Sequence, residues 1–167
     1  QQSRIDGNVW HPEWIEARGD VDLEVPPEEG RDPVRARCES FWFDIPRESG
    51  VLRGGPWVRI TSGASTILAA RALFPDRNSI VLQGPKRVRI VQQNGEVATV
   101  SSRGDMSIVA ASRRIKMVDR CEVLTKDSRV TADRIDVRLS ADGKSVESTR
   151  ARGRVEVTRP LDGARLF

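Results

Sequence analysis

The chain has one histidine, two cysteines and no tyrosine in 167 residues. Aromatic side chains are few: four phenylalanines and four tryptophans. Each scarcity removes a class of function. The lone histidine, His11, has no Ser/Asp or Cys partner set in the sequence, so no catalytic residue is expected. Cys38 and Cys121 are too few for a tetrahedral metal site or a disulfide framework, so neither metal nor cofactor is expected. No glycine-rich loop ends in Lys-Ser/Thr, so a nucleotide-phosphate cradle is excluded. No apolar run approaches the ~18 residues that would read as a spanning helix. The opening Gln1-Gln2-Ser3 reads as a trimmed start, with room for a removed export signal or anchor.

What is present is charge and alternation. Charged residues make up 31% and hydrophobic residues 38% of the chain, and the mean hydropathy is -0.45. That balance suits a thin body with a large surface fraction, as one domain or one array of repeats. Net charge is +4 and the pI about 9.7. The signs are mixed along the chain, so anionic partners are mildly favoured and no nucleic-acid partner is expected.

The alternation is clearest near the C-terminus. Ala151, Gly153, Val155 and Val157 share one strand face, and Arg152, Arg154 and Glu156 the other. The phrase is echoed as Ala17-Arg18-Gly19-Asp20-Val21-Asp22-Leu23. Segments 51–60 and 81–90 also match, each running Val-Leu-polar-Gly and closing on Val-Arg-Ile. Apolar markers after the turn fall at Val21, Val58, Val88, Cys121 and Val155, an interval of about 30 to 37 residues that signals stacked units. Residues 1–16 read as an irregular lead-in with one strand at Asn8 to Trp10, and 17–167 as a single domain. In 34–45, a bulge or short break between the Val34-Ala36-Cys38 and Phe41-Phe43-Ile45 sets would keep both on one face. By propensity Ile67 to Leu73 resembles a short helix. Its place in the repeat makes it a strand. Strands and turns of ordinary length then give about sixteen strands in all.

The period also places the two cysteines about two and a half units apart, beyond the ~7 Å Cα separation that a disulfide bridges. Two free, inward-facing thiols are expected. Two Arg-Gly-Asp tripeptides, at 18–20 and 103–105, lie within strand phrases, which argues against protruding adhesion loops.

The unit "alternating strand with Ala, turn, then Gly-x-Val-x-Val" stands as Thr131-Ala132-Asp133-Arg134-Ile135 followed by 151–157. A degraded copy runs from 69–73 to 84–90. It resembles the repeat of the OstA-like lipopolysaccharide-transport family: LptA, LptC or the N-terminal domain of LptD. Asp119-Arg120-Cys121 departs from it where Gly-x-Val is expected. The resemblance implies an all-β, twisted open β-jelly roll (a β-taco) of mostly antiparallel strands in stacked repeats. It implies a periplasmic module, free or anchored to the inner membrane, that binds lipopolysaccharide or a related acylated lipid. It also implies edge-strand stacking with other Lpt-type modules or with further copies of itself.

The acyl-chain wall would then comprise Val21, Leu23, Phe41, Phe43, Val58, Ile60, Val88, Ile90, Ile115, Met117, Ile135, Val137, Val155 and Val157. Arg89 and Arg154 would meet phosphates at the rim. The alternative is a structural β-array with a dry, closed core that binds only proteins.

Overall fold

Period-two alternation drives the described chain into strands. A computed structural model describes residues 3–6, 9–27, 29 and 32–159, with side chains from Pro12 onward. Among these are thirteen strands and no helix. β1 (Ser3–Asp6) and β2 (Val9–Pro12) form a separate antiparallel hairpin, where the sequence suggested one strand in an irregular lead-in. The expected start of that strand, Asn8, lies outside the described residues.

The rest is a single antiparallel meander. It runs β3 (Trp14–Val25), β4 (Val34–Asp44), β5 (Ser49–Ser62), β6 (Ser65–Asp76), β7 (Ser79–Val91), β8 (Val97–Ser101), β9 (Met106–Val109), β10 (Arg114–Leu124), β11 (Arg129–Leu139), β12 (Val146–Arg152) and β13 (Glu156–Thr158). β8 and β9 lie end to end between β7 and β10, and β12 and β13 lie end to end along β11. The sheet stays open, with β3 at one edge and β12–β13 at the other.

Thirteen strands replace the expected sixteen because the strands exceed ordinary length. Several run 11 to 14 residues without a turn. They survive because each is interrupted at the same level by a bulge or a short break, not by a hairpin. The register slips between Arg18 and Val21, Arg37 and Ser40, Arg53 and Val58, Ala69 and Arg71, and Val118 and Cys121. The β8–β9 and β12–β13 breaks continue the same line. A bulge bends its strand and increases its twist. Bends aligned across neighbouring strands add, so the sheet creases along the line.

The crease explains the burial. Inward side chains from both halves form one cluster, with Val58, Ala69, Leu82, Val100 and Val137 fully buried. One face of a single sheet becomes dry only if something covers it. Among the described residues no other element packs on it extensively, so the halves cover each other. Fully burying a Leu or Ile such as Leu52, Leu82 or Ile135 contributes about 1.5–3 kcal/mol.

On three strands the crease has the same backbone. Gly19 and Asp20, Asp119 and Arg120, and Gly153 and Arg154 are each a pair at positive φ, between 45° and 77°. The repeat markers Val21, Cys121 and Val155 follow directly. Asp119-Arg120-Cys121 departs from Gly-x-Val in residues yet keeps the geometry. Side chains other than glycine pay sterically for this region, β-branched ones most. Arg120→Val is expected to cost about 1–2 kcal/mol, whereas Arg120→Gly leaves stability level or raises it. Urea unfolding measures both, and equal midpoints would refute the bulge assignment.

Candidate functional site

The inner space of the crease is the only continuous apolar surface that the described sheet shares between its halves, and cross-strand register assembles it. Of the residues expected in the wall, Val21, Val58, Ile60, Val88, Ile90, Ile115, Met117, Ile135 and Val137 are buried together there. Leu23 and Phe41 are half-buried against the cluster. Phe43 stacks on Phe41 with ring centroids 6.1 Å apart. Cys38 and Cys121 are both free and buried in the cluster, as expected. Burial pushes both thiols above their usual pKa.

Val155 and Val157 differ from the expected wall. They are 46% and 65% exposed. Val157 pairs with half-buried Val130, so its face is the expected one. Cover is what fails: among the described residues β13 is a three-residue edge strand with β11 as its sole partner. The strand expected through 151–157 also breaks at Gly153 and Arg154. A side chain at Gly153 would lie 2.6 Å from an oxygen of Asp133.

Arg154 is already engaged. Its Nε and Nη2 donate to Asp133 Oδ1 at 2.9 and 2.6 Å. That hydrogen bond holds the Asp133 carboxyl below its ordinary value of 3.8. Arg89 is exposed on the outward face, between Thr66 of β6 and Thr99 of β8. The Arg-Gly-Asp triplets both fall on the crease, one in the β3 bulge and one in the β8–β9 break.

Lys86 is the residue that the alternation hid. It occupies an inward position in phase with Val88 and Ile90 and is only 7% exposed. Its ammonium donates to the carbonyls of Ser102 and Arg103 at 3.4 Å and of Gly104 at 2.5 Å. Desolvation lowers its pKa, offset in part by Asp105. The three carbonyls satisfy its three donors, so the charge ties the β8–β9 break to β7. The period-two pattern marks its inward direction, but nothing in the sequence marks the carbonyl trio.

The halves meet at the strand ends. A crevice of about 320 Å³ there is lined by Val34, Ser62 and Ser65 of one half and by Ile108, Leu139 and Ala141 to Lys144 of the other. Gln93 Nε2 donates to Asp142 Oδ2 at 2.6 Å, and Lys144 lies 3.4 Å from Asp32. Among the described residues, no cluster of His, Cys, Asp and Glu could hold a metal ion.

The fold of this open antiparallel meander is already seen in a solved structure. It is that of LptH, the LptA-homologous periplasmic component of the conserved lipopolysaccharide transport device from Pseudomonas aeruginosa. The TM-score is 0.62 at 15% identity, over 76% of this chain and 94% of that one. The chain has the fold of LptH. The β-jelly-roll class expected from the sequence is therefore present, with fewer strands. No family model matches the sequence, and no curated protein matches it.

Two outcomes follow from these side chains. Lys86→Met would leave carbonyls unpaired in an apolar setting and is expected to cost about 1–3 kcal/mol in thermal or urea unfolding. Loss of less than a few tenths would remove the tie. For Asp133, a lowered folded-state pKa means its contribution is present above 3.8 and is lost as pH falls through the folded value. Arg154→Gln should raise the Asp133 titration midpoint, read by carboxyl NMR. An unmoved midpoint would mean that the pair does not form in solution.

Proposed function

We propose that the protein is a passive lipid-transport module that shelters the acyl chains of lipopolysaccharide, or a related acylated lipid, between the halves of its creased sheet. The aliphatic inner face, continuous across nine hydrogen-bonded strand positions, carries this reading. The likeness to LptH supports it, because that protein is a periplasmic component of a lipopolysaccharide transport device. On this reading the present chain works in the periplasm and stacks through its β3 and β12–β13 edges onto other Lpt-type modules. Open edges are normally a hazard and serve here as joints.

The energetics favour such a shelter. Each methylene in water costs about 0.8 kcal/mol, so a ten-carbon chain left exposed costs about 8 kcal/mol. An aliphatic wall recovers that cost without hydrolysing anything, so the driving energy belongs to a partner. Wall side chains now fill the interior, so a chain enters as the halves part at the Val34, Ile108 and Leu139 crevice.

The filled interior also favours a second reading, a scaffold with a permanently dry core and protein partners only. One experiment separates the two. A photo-crosslinker at Val88 should give a lipid adduct in cells, and one at outward-facing Lys116 should not. An adduct pattern that is reversed, or absent at both, would leave the scaffold.

A further inference from the structure

The outward face of the sheet distributes its charge unevenly. On the flanking strands several arginines sit beside acids: Arg35 with Glu24, Arg37 with Asp22, Arg114 with Asp136, Arg129 with Glu122 and Arg138 with Glu147, while Arg134 and Arg152 oppose each other outside the ion pairs found among the described residues. The central strands break that habit. β5 and β7 contain no acid, and β6 has only Asp76 at its end. Yet these three strands carry Arg53, Arg59, Arg71, Arg87 and Arg89, which lie outside the ion pairs found among the described residues.

Cross-strand register gathers these arginines. Arg53 lies directly opposite Arg71. Arg59 and Arg87 flank Leu68 from either side, and Arg89 lies two residues beyond Arg87 on the same face. Like charges directly opposite on a sheet are destabilising. The Nε of Arg71 is in addition buried without a hydrogen-bond partner. Glu96 shares a crevice with Arg87 and Arg89, and Glu39 one with Arg53, yet none of the five arginines closes an ion pair among the described residues, which leaves their guanidinium groups open to an external anion.

The same face has an apolar border. Trp42 pairs with Val51, Val51 with Leu73, and Leu73 with Val81, forming an outward row next to Arg53 and Arg71. Trp42 and Trp57 are 42% and 45% exposed; Glu16 and Glu39 line the crevice beside Trp42, and Asp20, Asp22 and Glu39 the one beside Trp57, so these carboxylates bound the patch on the β3–β4 side. Phosphate headgroups lie against acyl chains in a bilayer, so a membrane surface matches the arginines and the tryptophan-aliphatic row together. An acidic polypeptide would match only the arginines.

We propose that the outer face of β5–β7 seats the protein on an anionic bilayer, with Arg59, Arg87 and Arg89 on lipid phosphates and Trp42 and Trp57 at the headgroup boundary. This contact uses the opposite face of the sheet from the acyl-chain wall and does not depend on it.

The test is co-sedimentation of the full chain with vesicles of equal parts phosphatidylglycerol and phosphatidylcholine, against pure phosphatidylcholine. Binding is expected to the anionic vesicles alone and to vanish near 1 M salt, where screening shortens to ~3 Å. Each surface arginine contributes about fivefold, so Arg59→Gln/Arg87→Gln/Arg89→Gln should lose on the order of a hundredfold. Arg134→Gln/Arg152→Gln changes an opposed pair on β11 and β12 and should retain binding.

Absence of binding to anionic vesicles at low salt overturns the proposal. Equal loss in the two variants overturns it as well, because net charge would then suffice. Binding to polyglutamate without binding to vesicles would replace the membrane with an acidic protein. The wild-type salt titration decides the point even if a variant folds poorly. Absent adducts at Val88 with intact vesicle binding would cost the transport reading and leave this one standing.

Discussion

Everything in this structure depends on irregularities in nine adjacent strand positions falling at one level. A flat antiparallel sheet of long strands would leave one apolar face in water. The bulges and breaks turn that face onto itself, and the molecule gains its core from one sheet without a second layer. Two positions are breaks, β5 steps six residues from Leu52 to Val58, and the other six strands take two forms. On β3, β7 and β10, inward residues skip four positions, from Ala17 to Val21, Leu82 to Lys86 and Met117 to Cys121. On β4, β6 and β11 they skip three, from Cys38 to Phe41, Ala69 to Ala72 and Ala132 to Ile135. A three-residue skip reverses the parity of the alternation, so only a bulge keeps the apolar set inside.

The crease also concentrates the polar exceptions. Lys86 lies beside the β8–β9 break, where broken ladder hydrogen bonds leave carbonyls that a buried ammonium can use. Ser102 Oγ shares the Gly104 carbonyl with it at 2.9 Å. Asp133 and Arg154 meet across the same line at the far edge. Elsewhere the inner face is aliphatic and the outer face charged, so the sheet presents two chemistries on opposite sides.

Much of this was legible in the residues. Alternation identified strands, and the parity change at Cys38 to Phe41 revealed a bulge there. Ile67 to Leu73 resembles a helix by propensity alone, through its three alanines and two leucines, and pairing with β5 and β7 overrides that local preference. The near-constant interval of the markers was real, yet it measured pairs of strands and the recurrence of the crease. Counting strands at ordinary length overshot because a bulge looks like a turn when only residue types are visible. Val155 and Val157 are exposed for another reason: a strand pattern specifies a face, and neighbours specify whether that face is covered.

The sequence by itself determined the all-β class, the facing of nearly every strand and the two unpaired thiols, because each is a local consequence of side-chain alternation or spacing. Only the tertiary structure decided that the bulges align, that the halves close over the wall and that β13 has no second neighbour among the described residues. It alone revealed that arginines on β5, β6 and β7 stand together without acids. Those features arise from register between strands far apart in the chain, and register is settled by the packing of the whole sheet.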